Sequence, residues 1–456
     1  MKSRIRNMAR GAAVVAALTM LTACGGSDSG PATSVTPPPP PNQATYTVGG
    51  GTVSGLMGSG LVLQLFIPNP DGSKGWAAAS DALQINSNGP FTLVSAYPPD
   101  PYSFARITQA PSTQLCVLRA ANVTDIKVGC SQFSYVANAG DNTVSAYTVD
   151  ATSGALAAVG TPVATGTSPH AIVVTQDRQY VFVDNEGSND ISAFGVNFAS
   201  GALTAVPGSP FAAGTDPKAL ALYRLLDFGT YLYVANAGSD TVSAFAVDTS
   251  TGSLTPLSPA TFATGKGPSS IAVDLTGPFM YVANNGGSND VSAFSVDPKS
   301  GILTPVAGSP FPAGANPLSL ALGAGGKFLY TANPDATNPS ISGFSIDPTS
   351  GALAPLSGSP FPLPVSHYIA ADQTGAYLYV TAGSGVVGYR IDGTTGMLTP
   401  LPGFPVVTGT DAYSVTLNLF NQFLYVANDG SADISGFRVP PMGSVNPSPL
   451  GDGKVG

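Results

Sequence analysis

An aromatic residue returns in near-identical surroundings at Tyr135, Phe182, Tyr233, Tyr281, Tyr330, Tyr379 and Tyr425, at spacings of 47, 51, 48, 49, 49 and 46 residues. Five of the seven copies read Tyr-Val-Ala-Asn or Tyr-Thr-Ala-Asn. A fixed period of this length means one supersecondary unit stacked repeatedly, and the length suits a four-stranded propeller blade.

The fourth unit shows the parts. Ser270 to Val273 predicts a short buried strand and Phe279 to Ala283 a second. Val291 to Val296 alternates as a half-buried third strand. Asp297-Pro298-Lys299-Ser300-Gly301 reads as a tight turn, Asp bonding the backbone and Gly free to take positive φ. Ile302 to Val306 is the outermost strand, and Pro305 within it suits an edge because it offers no donor to another chain. One such sheet cannot bury both faces, but seven packed around an axis can. The composition agrees: 54 Gly and 41 Pro punctuate many short strands, and only 9% of residues are charged. After Arg438 the pattern decays, so ring closure is the weak point. Thr124 to Val128, just ahead of Phe133, is available as the first unit's innermost strand.

Ahead of the repeats, residues 45–131 are strand-like without repetition, as in Leu61 to Leu65 and Phe91 to Val94, and predict a small β-sandwich. Trp76, the single tryptophan, belongs to its core or anchors its surface. Cys116 and Cys130, an even pair in an exported chain, read as a disulfide, and two thiols alone offer no metal site. Residues 24–44 are rich in Gly, Ser, Thr and Pro, with Pro37 to Pro41 consecutive, and predict an extended tether. Residues 1–23 read as an export signal: Arg4, Arg6 and Arg10 precede an apolar run, Ala12 to Leu21, too short to span a bilayer. That run closes on Leu21-Thr22-Ala23-Cys24, which resembles the bacterial lipobox. The resemblance implies lipidation of Cys24, an extracytoplasmic protein held to a membrane by lipid alone and, with Gly25 next, sorting to the outer membrane. Without Lys2 and those three arginines, 13 basic residues face 26 acidic ones. No basic stripe exists to neutralise phosphates, so nucleic acid is excluded as a partner.

The expected fold is therefore all-β: a seven-bladed β-propeller over 132–456, preceded by the small β-sandwich. Tyr-Val-Ala-Asn followed by Val-Ser-Ala-Phe and Asp-x-x-Ser-Gly resembles the lactonase-like seven-bladed propellers. That family includes 6-phosphogluconolactonase and the fungal muconate-lactonising enzymes, and overlaps surface repeats named for Tyr-Val-Thr-Asn. The resemblance covers about 133–440. Its enzymatic members carry Pro-Arg-His at the start of an innermost strand and Asn-Glu at the end of the next. Asn185-Glu186 matches the second feature. Pro169-His170-Ala171 matches the first in part, with no arginine and the histidine one position early.

Residues that open innermost strands ring one mouth of a propeller's channel. Thr124, His170, Lys218, Ser269, Leu318, His367 and Tyr413 occupy that position, and both histidines of the chain fall there. Hydroxyl, imidazole and ammonium groups at such a mouth suit a small carbohydrate-like or lactone ligand. Lactone hydrolysis would need a base, His170 or Glu186, while Lys218 or Lys266 would hold a carboxylate or the developing oxyanion. The resulting expectation is an envelope-anchored, monomeric binding or interaction module, for a small ligand or an envelope protein. The alternative is an extracytoplasmic lactone hydrolase. No cofactor or metal is assigned: Asp141, Asp190, Asp240, Asp290 and Asp433 recur just before the third strand, where they read as turn caps.

Overall fold

The computed structural model describes residues 132–439 apart from 226–228, 275, 336, 364–367 and 419–420, together with 448–449. Of the N-terminal part it describes 46–54, 56, 61–68, 76–78, 82–95, 104–109, 117–120 and 126–130. No helix occurs among the described residues. The signal, the tether, Cys24 and Cys116 lie outside them, as does the side chain of Trp76, which opens a short strand, Trp76–Ala78.

The chain divides into two compact units, 1–132 and 133–456. The first contains two four-stranded sheets. Leu61, Leu63 and Leu65 are buried in one sheet and Val53 and Leu93 in the other, the alternation expected of strands with one dry face.

The second unit is a ring of seven sheets. The fourth blade runs Pro268–Asp274, Phe279–Asn284, Asp290–Val296 and Leu303–Pro305 from axis to rim, as its sequence pattern predicts. A two-residue strand, Phe311–Pro312, then pairs with the free half of Asp290–Val296. Between the two outer pieces Ser309 turns inward, and its Oγ accepts the Ala293 N–H at 2.8 Å. Blades two, five and six have the same split outer edge.

The recurring motif residues are joints between parts. The motif Asn is half-buried as Asn138 and buried as Asn185, Asn236, Asn284, Asn333 and Asn428, and in these five its Nδ2 donates at 2.9 Å to the Ser that follows the Val or Ile of the third strand. Asp190, Asp290 and Asp433 accept from the same Asn side chains, which makes them local caps. The motif Tyr reaches into the next blade. Tyr135, Tyr233, Tyr281 and Tyr330 donate to the carbonyls of Gly201, Gly301, Gly351 and Gly396, the last residues of the following blade's turn. That turn needs glycine: Gly301 has φ of 71°, and a Cβ there would lie 2.5 Å from the Tyr231 ring.

The same joint closes the ring. Tyr425 of blade seven donates to Gly154 O of blade one at 2.7 Å, across 271 residues of sequence. Phe423 and Tyr425 pack on Val149, and Arg438 donates to the Thr152 carbonyl while its guanidinium lies 5.1 Å from the Phe423 ring centre. The tail after Arg438 supplies blade seven's outer strand, Ser448–Pro449.

Thr124 to Val128 does not complete blade one. Thr124 lies outside the described residues, and the strand Ile126–Gly129 pairs with Tyr46–Ser54 and Val117–Ala120 in the first unit's sheet. Parallel pairing with residues some 75 positions upstream claims one of its edges, and antiparallel pairing with Val117–Ala120 claims the other. Blade one therefore begins at Gln132–Asn138, and among the described residues only Thr143–Val149 pairs with that strand.

Candidate functional site

In four blades the innermost strand opens with a proline or alanine paired to the motif Asn, and the ladder then slips. In blade two the register breaks between Pro169 and Ile172; blades three, four and seven break after Pro217, Pro268 and Ala412. Such a bulge frees one side chain from the pleat and re-aims it. The freed residues are His170, Lys218, Ser269 and Tyr413, so the position aligned in the sequence is a physical one.

The structure brings three of these four together. His170 Nε2 and Tyr413 Oη lie 3.1 Å apart with their rings edge to face, joining blades two and seven past blade one. The Tyr368 ring, at the head of blade six's inner strand, lies 4.9 Å from that of Tyr413. Lys218 Nζ sits 2.7 Å from Glu186 Oε1 and 3.2 Å from Asp216 Oδ1. The Glu186 main chain is fixed by donating to Ser168 O at 2.9 Å. Ser269 instead ties blades four and five, donating to Pro317 O at 3.0 Å. Lys266 is exposed in the turn before blade four's inner strand, and His367 lies outside the described residues.

Asp184 is the residue that sequence reasoning missed. It replaces the Ala of Tyr-Val-Ala-Asn, which five other blades keep as Ala137, Ala235, Ala283, Ala332 and Ala427. Its side chain is fully buried. Oδ1 accepts the Ala171 N–H at 2.5 Å, a group the bulge leaves without a ladder partner, and Oδ2 has no hydrogen-bond partner. Blade six repeats the device with Thr381, whose Oγ1 accepts the Tyr368 N–H at 2.9 Å.

The electrostatics follow from burial. Desolvation pushes the Asp184 carboxyl up to about 8, against the opposing pull of the Ala171 and His170 N–H groups and Lys218. Desolvation, then the Lys218 charge, push the His170 ring below its ordinary value, while Glu186 and Asp216 oppose them. His170 is therefore neutral at pH 7, and its Nδ1 is buried without a hydrogen bond of normal geometry. Burial alone would lower Lys218 and raise Glu186; their mutual bond outweighs it and moves both the other way. Tyr368 is raised by burial, then by Tyr413 and by Asp184. The mouth thus holds one ammonium clasped by two carboxylates, a neutral imidazole on a phenol, and a desolvated acid beneath them.

The other end of the channel differs. There Ala272, Leu320, Leu322, Ile369 and Ala371 of the inner strands, with Asp372 and Gln373 beside them, line an open pocket of about 310 Å³.

A family model described as a seven-bladed lactonase β-propeller matches residues 82–216 and 227–366. The chain belongs to that lactonase propeller family. Solved structures similar to it include a putative 6-phosphogluconolactonase from Bacteroides uniformis, at 17% identity and a TM-score of 0.59, covering 74% of this chain and 98% of that one. Another is the periplasmic gluconolactonase PpgL of Pseudomonas aeruginosa, at 19% identity and a TM-score of 0.57, covering 70% and 94%. At such identities the likeness is one of fold. No curated protein matches this lactonase-family chain.

Proposed function

We propose that this chain is an envelope-anchored member of the lactonase propeller family whose channel mouth binds a small, uncharged, carbohydrate-like ligand. The observation that carries the reading is the Lys218 clasp: Glu186 and Asp216 both hold its ammonium. Glu186 is thus bound to Lys218 and makes no hydrogen bond to His170, so the acid–base pair that hydrolysis would use is not assembled. Lys218 is likewise committed to two carboxylates, which disfavours a phosphorylated ligand. The lipid on Cys24, the tether and outer-membrane sorting belong to the same reading, supported by the Leu-Thr-Ala-Cys signal. So does a Cys116–Cys130 bridge: Val117 pairs with Gly129, and the two cysteines are the next residues outward from that pair.

The second reading, an extracytoplasmic lactone hydrolase, draws on the neutral, buried His170. In it His170 would take a proton from water, with Tyr413 orienting the ring. The assay is hydrolysis of simple γ- and δ-lactones by the purified full-length protein, with ligand binding followed calorimetrically. Binding without turnover is the expected result. Turnover abolished by His170→Ala and by Glu186→Ala would replace the binding module with the hydrolase.

A further inference from the structure

Blade one lacks an innermost strand among the described residues: Gln132–Asn138 pairs with Thr143–Val149, and no described strand lies along its edge toward the axis. The blade is otherwise regular. Tyr135 makes the clasp to Gly201, and Asn138 donates to Ser145 at 2.8 Å. Burial marks the open edge. The sister strands Tyr180–Asn185, Phe279–Asn284 and Phe328–Asn333 are buried throughout, whereas Phe133, Ser134, Val136, Ala137 and Asn138 are all half-exposed. A second observation is independent of the first. At the mouth, Asn142, Asn189, Asp240 and Asn289 sit at positive φ. Each of their side chains accepts a main-chain N–H just ahead of the next blade's inner strand, at Ser168, Asp216, Gly267 and Asn316. In blade seven that position is Ala432, with φ of 49° and no side-chain acceptor to offer blade one. The blade that would receive the cap is the blade without the strand.

We propose that residues 133–138 receive an extended segment of a partner polypeptide, which adds antiparallel as the innermost strand of blade one. The sister blades state what fits. Opposite the motif Tyr they place a small residue, Ala221, Ala272, Ala321, Ala370 or Thr416. In blades three, four, five and seven that residue has Leu, Ile or Val on both sides. The partner segment therefore reads aliphatic, small, aliphatic opposite Val136, Tyr135 and Ser134. In such an addition main-chain hydrogen bonds supply affinity and alternate side chains supply specificity. Inner strands start at the mouth, so the N-terminal flank of the segment lies there. The loops beside it carry Asp141, Asp411 and Asp429, and residues 139–142, 165–170, 186–190, 408–413 and 429–433 contain no Lys or Arg. Lys218, in blade three, is already held by two carboxylates. The flank of the partner segment is accordingly basic. This chain's own strand ahead of blade one, Ile126–Gly129, is paired on both edges elsewhere. The mouth end of the open edge is spanned by the side chains of His170 and Tyr413, which separate as the strand enters.

The probe is a synthetic peptide of residues 266–274, the blade-four inner strand with Lys266 ahead of it, added to the full-length protein. Titration calorimetry is expected to show one saturable site, and hydrogen exchange to slow at residues 133–138 while the outer strand Leu303–Pro305 is unchanged. A peptide carrying Ile271→Asp and Val273→Asp is expected to bind about tenfold more weakly or worse. In the protein, Ala432→Asn installs the cap that blades one, two and four carry, and Asn tolerates positive φ, so the fold is kept. Its side chain accepts the Gly267 N–H of the probe, and affinity is expected to rise about fivefold. The proposal is overturned by no binding at about 1 mM probe, by protection confined to other strands, or by equal affinity for the doubly substituted peptide. Unchanged affinity in Ala432→Asn also overturns it, since the added strand would then not lie in the blade-one register. So do amides at 133–138 that, in the protein alone, already exchange as slowly as those of Phe279–Asn284, because this chain would then fill the edge itself.

Discussion

Replacing Tyr425 by Phe deletes one oxygen atom at the seam between the last blade and the first. The lost bond is the 2.7 Å contact to Gly154 O, from a side chain 6% exposed. A neutral hydrogen bond contributes about 1 kcal/mol net, and leaving the Gly154 carbonyl dry adds about 1–2 kcal/mol. The sum, about 2–3 kcal/mol, lowers the melting temperature of a unit this large by about 3–4 °C. Tyr281→Phe is the control, because it cuts the equivalent bond to Gly351 inside the ring. In a closed ring the two variants lose the same amount, since each seam bears the same joint. Differential scanning calorimetry, with hydrogen exchange at the flanking amides, reads both. If Tyr281→Phe is destabilised while Tyr425→Phe melts with the native protein, blades one and seven are not sealed and the ring is open.

Three further outcomes follow from the described contacts. The folded carboxyl of Asp184 titrates near 8, well above the unfolded value near 3.9. The unfolded chain therefore loses that proton first, and native stability falls as pH rises between the two values. The stability advantage of Asp184→Asn over native should grow from nothing near pH 4 to its maximum above pH 8, measured by urea unfolding; an advantage independent of pH contradicts the burial argument. Lys218→Ala leaves Glu186 and Asp216 facing each other, but all three groups meet solvent, so the loss at pH 7 should be about 1 kcal/mol or less and should shrink in 0.5 M salt. Gly301→Ala forces a side chain into positive φ and against Tyr231, and should lower the urea midpoint by an amount equivalent to about 1–3 kcal/mol.

Much of the architecture was legible because the repeat carries its own joints. Tyr, Asn, Ser and the Asp-x-x-Ser-Gly turn recur because each makes the same bond in blade after blade, and such bonds leave a period in the sequence. The position of His170, Lys218 and Tyr413 was legible for the same reason, since a bulge at a fixed place in the unit varies against a constant background. Periodicity says nothing about which sheet a flanking strand joins, so Ile126–Gly129 was open to assignment to the wrong unit. Two-residue strands such as Phe311–Pro312 are too short to show alternation. Asp184 was visible as a break in Tyr-Val-Ala-Asn, yet the sign of its importance is an oxygen without a partner, which only packing discloses. Tyr368 escaped notice because it sits one residue beyond the aligned position, while the aligned residue is His367.

The seam between blades seven and one uses the same tyrosine-to-glycine clasp as four internal seams. Nothing in that bonding distinguishes covalent neighbours from blades brought together by folding. A circularly permuted chain, cut in an exposed outer loop such as that at Gly308 and joined across the old gap, should reach the same ring. The order in which the blades are synthesised would then govern the route of assembly while leaving its destination unchanged.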